Sequence, residues 1–193
     1  ASALRALGLA QMFQGLGFRV VVLGTFMKAS AGARSPSGVL IDGVLCRDIE
    51  QPLAGQSWAS YVIDATSVFQ VVDEYGKAQV LAVLGYNYPA RGAWSLIRQA
   101  RVRGIAPILD CTEWYGCGGG RALRNHWRLV GVEMRMKTLT RMAQNVICAS
   151  SWFRARAAGQ HTVLLPFVLD TTRPQWRRGP VPDPTQPVHL VYS

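Results

Sequence analysis

Glu113 is followed at once by Trp114 and Tyr115, and then by a loop containing Gly116, Gly118, Gly119 and Gly120. A carboxylate among aromatic rings can position an acceptor hydroxyl or help stabilise an oxocarbenium-like state, while the rings stack on a sugar face. Thr112 stands just before this group, and Arg121 and Arg124 stand just after it. Where a glycine loop enters a helix, free backbone amides suit an anion such as a lipid-linked phosphate. Asn87 and Ser150 add two polar side chains at the ends of apolar runs. Each residue also has a plainer reading. Glu113 can be a surface acid paired with Arg121 or Arg124, the glycines a flexible loop, Asn87 a turn residue and Ser150 a helix cap. The loop is not GxxxxGK[ST], which excludes a P-loop, and no GxGxxG follows a leading strand, which disfavours a dinucleotide oxidoreductase.

The elements that would hold these residues are strands and helices in alternation. Pro107–Cys111 is a short apolar strand ending in polar residues, and Val146–Ala149 is a second one ending at Ser150 and Ser151. A long helix between them makes a βαβ unit, the repeat of a parallel sheet. Ligands of such sheets sit outside the carboxyl ends of the strands, where Asn87, Thr112, Glu113 and Ser150 fall. Phe18–Leu23, Gln79–Tyr86 and Thr162–Leu165 are expected in the same sheet, the first buried on both faces. Asp42–Gly43 between two apolar runs predicts a hairpin. Helical spacing predicts a first helix carrying Leu9, Met12, Phe13 and Leu16, and a second carrying Trp58, Tyr61, Val62, Ala65, Val68, Phe69 and Val72. A third, over 90–103, puts Trp94 and Ile97 inward and Arg91, Arg98, Arg101 and Arg103 largely outward. The expected fold class is α/β, a Rossmann-like, mostly parallel sheet with helices on both faces. Because the chain opens on a helix, one strand is expected upstream of it.

Four arginines of the long helix, Arg121, Arg124, Arg128 and Arg135, fall within roughly 60° on a helical wheel. They read as an outward basic stripe, opposite Leu123, Trp127, Val130 and Met134. Past Gly131 the apolar phase drifts to Val132, Met136 and Leu139, which implies a kink at Gly131 or burial on two sides.

The formal charge of +10 over 193 residues points to an anionic partner or to solubility alone. No apolar run approaches the roughly 18–20 residues of a spanning helix, and no signal pattern opens the chain. Cys46, Cys111, Cys117 and Cys148 form no CxxC pair, so zinc is not expected, and the thiols read as those of a reducing compartment. His126, His161 and His189 are scattered.

Several local patterns resemble the amino-terminal domain of a GT-B glycosyltransferase of the retaining family 4. They are LRALGLAQMFQGLGFRVVVLG, PILDCTEWY, NVICASSWFRARAAG, TVLLPFVLD and HLVYS, in that order. The resemblance implies an acceptor-binding domain over 1–170, a linker over 171–187 holding five prolines, and the start of a carboxyl-terminal donor domain over 188–193. It implies transfer of a sugar from a nucleotide-sugar donor to a lipid-linked or saccharide acceptor, with no cofactor beyond that donor. Glu113 would act on the acceptor side of catalysis. Asn87, Thr112, Trp114, Tyr115, Gly118, Gly119, Arg121, Arg124 and Ser150 would bind substrate. Many relatives carry a His where this chain has Glu113. The family's first strand, its glycine-rich loop and its donor domain are all absent from this sequence, so this chain alone is expected to be incomplete and inactive. The expected location is cytoplasmic, peripheral at the inner face of an anionic membrane. The alternative is a basic α/β module that binds nucleic acid or another polyanion. It is disfavoured because most tryptophans read as helical core residues, so nucleic acid is not the expected partner.

Overall fold

The structure, a computed structural model, describes residues 2–24, 38–49, 65–112, 130–157 and 161–166. Helix α1 (Ser2–Gly15) leads into strand β1 (Val21–Gly24). Strands β2 (Val39–Ile41) and β3 (Val44–Asp48) form the expected hairpin. Its turn residues, Asp42 and Gly43, have φ of 50° and 80°, the left-handed pair that lets a two-residue turn follow the strand twist. Helix α2 (Thr66–Tyr75), strand β4 (Ala82–Tyr86), helix α3 (Ala90–Val102) and strand β5 (Ala106–Cys111) follow. A helical stretch over 130–143 ends in α4 (Thr140–Ala143). Strand β6 (Asn145–Cys148), helix α5 (Ser151–Arg156) and strand β7 (His161–Leu164) complete the described elements.

Among the described residues the strands form two sheets, in the orders β1-β3-β2 and β4-β5-β6-β7. All pairs are parallel except the β2–β3 hairpin. The fold is therefore α/β and Rossmann-like, and the strand runs expected to be parallel are parallel. They are divided between two sheets, however, where a single sheet was expected.

Strand alternation shows how helices cover the layer. Leu109 and Cys111 of β5, with Val146 and Cys148 of β6, pack on Ala93 and Ile97 of α3 and on Met136, Leu139 and Ala143. Val83 of β4 meets Phe69 and Val72 of α2 and Leu96 of α3, in a cluster that also touches Leu23 of β1. On the opposite face, Leu7 and Ala10 of α1 pack with Val22 of β1 and with Val44 and Cys46 of β3. One helical layer thus serves both sheets.

Three expectations of burial in the first half of the chain need correction. Leu16 is 66% exposed, because the α1 face turned to the sheet carries Arg5, Leu9 and Ala10 instead. Phe18 is 48% exposed, and β1 starts only at Val21, so the run 18–23 is not buried on both faces. Trp94 is 43% exposed. The small residues Gly92 and Ala93 bring α3 close to the sheet, and Ala93, Leu96, Ile97 and Ala100 occupy that face. Trp94 lies about 100° around the helix from Ala93, where Arg98 sits 5.5 Å from its ring centroid.

Arg135 does not join an outward stripe. Arg135–Leu139 is a π turn, and it buries Arg135, Met136 and Leu139 together. The apolar phase has already drifted at Val132, ahead of this turn, and at 3.6 residues per turn Val132, Met136 and Leu139 fall within roughly 60° of one another. Val130 and Met134, expected inward, are 45% and 44% exposed. Trp58, Tyr61, Val62, Glu113, Trp114, Tyr115, Cys117, Gly118, Gly119, Arg121, Arg124 and Arg128 lie outside the described residues, as do 167–193.

Candidate functional site

The carboxyl ends of β4, β5 and β6 gather the polar groups of the domain. Asn87 follows β4 with φ of 41°. A left-handed residue there turns the chain sharply out of the strand, a conformation that Asn tolerates better than most side chains. Its backbone N–H donates to the Asp110 carbonyl at 3.0 Å. Its Oδ1 accepts the Thr112 N–H at 3.2 Å, and its Nδ2 donates to Thr112 Oγ1. Asn87 and Thr112, expected as neighbours at strand ends, are directly bonded.

Arg135 reaches the same place from the π turn. Its Nη1 donates to the Asn87 carbonyl at 3.1 Å, and the residue is only 7% exposed. It stands four residues before Leu139, so the two share one face of the helical stretch and are buried together. The turn is reinforced by Thr140, whose hydroxyl donates to the Met136 carbonyl at 2.6 Å.

Arg5 and Asp110 form the second part. Arg5 Nε and Nη2 each lie 2.8 Å from one oxygen of the Asp110 carboxylate, and both side chains are buried. Arg5 Nη2 also donates to the Leu165 carbonyl at 3.0 Å, and Nη1 donates to the Pro166 carbonyl. The hydrogen bond to Asp110 is the main cause that raises the Arg5 pKa, against the opposing effect of burial. A two-pronged guanidinium–carboxylate pair with its spare donors satisfied is the geometry that makes burial of two charges tolerable.

Ser150 takes its plainer role. Its Oγ accepts the Phe153 N–H at 3.3 Å and caps α5. Just before it, the Ala149 N–H donates to the Cys111 carbonyl. Cys111 and Cys148 are buried, free and paired in register beneath this rim. Burial pushes the Cys111 thiol up to about 12, although Arg135 pulls it the other way. Burial also raises Cys148. Neither thiol is a nucleophile near neutral pH. Cys46 is free and buried as well.

This arrangement can hold polar or anionic ligand atoms through Thr112 and Arg135 at a rim whose own charge pair, Arg5–Asp110, is internally satisfied. Among the described residues, no cluster of His, Cys, Asp or Glu could hold a metal ion. Sequence reasoning missed Arg5 and the inward turn of Arg135. Arg5 had one signal, a lone cation inside the apolar helix SALRALGLA. Arg135 had none that could be separated from the arginines before it.

No protein-family model matches the chain, and neither curated proteins nor solved structures show a significant match to it.

Proposed function

We propose that this domain is the acceptor-binding half of a retaining glycosyltransferase. It would take a sugar from a nucleotide-sugar donor, bound mainly by a second domain, to a lipid-linked or saccharide acceptor. The observation that carries the reading is the linked group Asn87–Thr112–Arg135 at the carboxyl ends of parallel strands. In a Rossmann-like layer this rim is where ligands bind. The order of motifs along the chain supplies the family resemblance. Arg135 suits a phosphate or a sugar hydroxyl, and Thr112 is a donor and acceptor at the rim. Glu113 is the next residue in the chain, which keeps it as the acceptor-side acid.

The location proposed with this function is the cytoplasmic face of an anionic membrane. Among the described residues, no helix is long and apolar enough to cross a membrane. The outward surface of α3 presents Arg91, Arg98 and Arg101 beside the half-exposed Trp94. Indole rings with arginines favour the headgroup region of a bilayer.

One observation favours the second reading, a basic module for nucleic acid. Trp94 and Trp152 are both exposed, each with an arginine over its ring, Arg98 and Arg156. Aromatic–arginine platforms stack on bases. The two tryptophans lie on different helices, α3 and α5, with no groove between them shown by the contacts, so the glycosyltransferase reading is preferred.

Acceptor binding tests this choice. Tryptophan fluorescence titrations with a polyprenyl phosphate, a set of oligosaccharides and single-stranded DNA should give saturable binding to one of the first two, weakened about tenfold or more by Arg135→Met and Thr112→Ala. Binding of DNA alone, fading steeply with salt, would contradict the glycosyltransferase reading.

A further inference from the structure

We propose that a cavity on the outer face of α3 binds a sugar phosphate, a small polyhydroxylated ring carrying a phosphate monoester. The cavity has a volume of about 460 Å³, inside the range of about 300–1,000 Å³ typical of small-molecule sites. Among the described residues it is lined by Thr66 from α2, by Trp94, Ser95, Arg98 and Gln99 from α3, and by Arg103 at the end of α3. The α3 residues recur at steps of one and four along the helix, on the side away from Ala93, Ile97 and Ala100, which face the sheet. Asn87, Thr112 and Arg135 are not part of this lining. The inference therefore goes beyond the glycosyltransferase reading and does not rest on it.

Trp94 and Arg98 carry the recognition. Trp94 is 43% exposed, and the Arg98 guanidinium lies 5.5 Å from its ring centroid. An indole left open in this way offers an apolar surface to the C–H face of a sugar ring, and the arginine beside it supplies positive charge. Among the described residues Arg98 forms no ion pair with a carboxylate. Arg103 differs, because it holds both Asp73 oxygens at 3.1 Å and lies 4.7 Å from the Phe69 ring centroid. Arg103 is thus a fixed wall, and Arg98 is the cation left for an incoming anion. The described lining includes no Asp or Glu, so a phosphate held there touches no like charge.

Ser95 and Gln99 supply the polar groups for the ring hydroxyls. The Ser95 hydroxyl accepts the Ala65 N–H at 3.3 Å and a Gln99 side-chain N–H at 3.1 Å. These bonds tie the start of α2 to α3 and hold Gln99 in place, so its amide is ordered before any ligand arrives. Amides and hydroxyls, with Thr66 as a third such group, both donate and accept, as sugar hydroxyls do. Size and lining together select the ligand. Inorganic phosphate would leave the indole and most of the volume unused, and a neutral sugar would leave Arg98 without a counter-charge.

The test is isothermal titration calorimetry of the full chain, without lipid, against the terminal monophosphates of glucose, mannose and fructose. At least one should bind saturably, one molecule per chain. Glucose, mannose, fructose and inorganic phosphate should each bind about tenfold or more weaker. Arg98→Gln should weaken binding about tenfold or more, and Trp94→Leu several-fold. Both side chains are exposed, so the urea midpoints should not move. Arg154→Gln, which removes the same charge from α5, should leave binding as it is. Equal binding of inorganic phosphate or of the free hexoses would overturn the proposal, as would no binding. Loss of binding in Thr112→Ala but not in Arg98→Gln would place the ligand at the strand-end rim and overturn it. Tighter binding of nucleoside monophosphates or single-stranded DNA, lost in Arg98→Gln, would assign the cavity to nucleotides or nucleic acid and overturn it too.

Discussion

Arg5 grips both carboxylate oxygens of Asp110, 105 residues away in sequence, at 2.8 Å each. The contact ties the opening helix to the carboxyl end of β5 and so joins the two sheets. Removing one member leaves the other buried and unpaired, which typically costs about 3–5 kcal/mol. Arg5→Met and Asp110→Asn should each lose stability of that order in urea unfolding. The pair Arg5→Met with Asp110→Leu should recover part of the loss, but not all, because the Leu165 and Pro166 carbonyls also lose a donor. A loss below about 1 kcal/mol for either single change would show that the pair does not fasten the layer.

Asn87 separates backbone from side-chain roles. At φ of 41°, alanine is strained where glycine is not. Both substitutions lose the bonds to Thr112. Asn87→Ala should therefore be less stable than Asn87→Gly by about 1 kcal/mol, measured by the urea midpoint. Equal stability would mean that the left-handed turn after β4 is not held in solution.

The pH dependence follows from Cys111. An unfolded thiol ionises near its ordinary value, about 8.5, whereas burial pushes Cys111 up to about 12. Between these values the unfolded chain binds fewer protons than the folded one, so stability falls as pH rises. The contribution is intact below about pH 8.5 and is lost progressively up to about 12. The slope for this one group is at most about 1.4 kcal/mol per pH unit. Comparing wild type with Cys111→Val isolates it from other groups titrating there. An identical slope in both proteins would mean that the thiol is not buried.

Helix α3 should bind anionic membrane. Vesicles rich in phosphatidylserine should sediment the protein at low salt, and the binding should fade as screening increases. Trp94→Ala with Arg98→Ala should weaken it several-fold. Equal binding to neutral vesicles would remove the electrostatic part of the account.

The parallel strands, the hairpin and the ends of α2 and α3 were legible because each rests on local pattern. Asp42–Gly43 names its turn, and Val68, Phe69 and Val72 mark a buried face. Asn87 and Thr112 were legible as strand-end residues, and the structure bonds them to each other. What was not legible depends on tertiary contact. A wheel puts Arg135 in one sector both with the earlier arginines and with Leu139, so its burial was not readable from the wheel alone, and nothing near Arg5 in sequence announces Asp110. Trp94 misled for a related reason: an apolar side chain at the margin of a helical stripe buries only if a neighbour covers it, and here Arg98 does so only in part. The division into two sheets was hidden because periodicity identifies strands but not their neighbours.

The most direct test of the glycosyltransferase reading is a transfer assay with radiolabelled nucleotide sugars, polyprenyl phosphate and oligosaccharide acceptors. The chain is assayed alone and with a GT-B donor-side domain supplied in trans. The account predicts transfer only when both halves are present, and loss of most of it with Glu113→Gln while the urea midpoint is unchanged. Turnover or tight nucleotide-sugar binding by this chain alone would contradict it, as would transfer indifferent to Glu113.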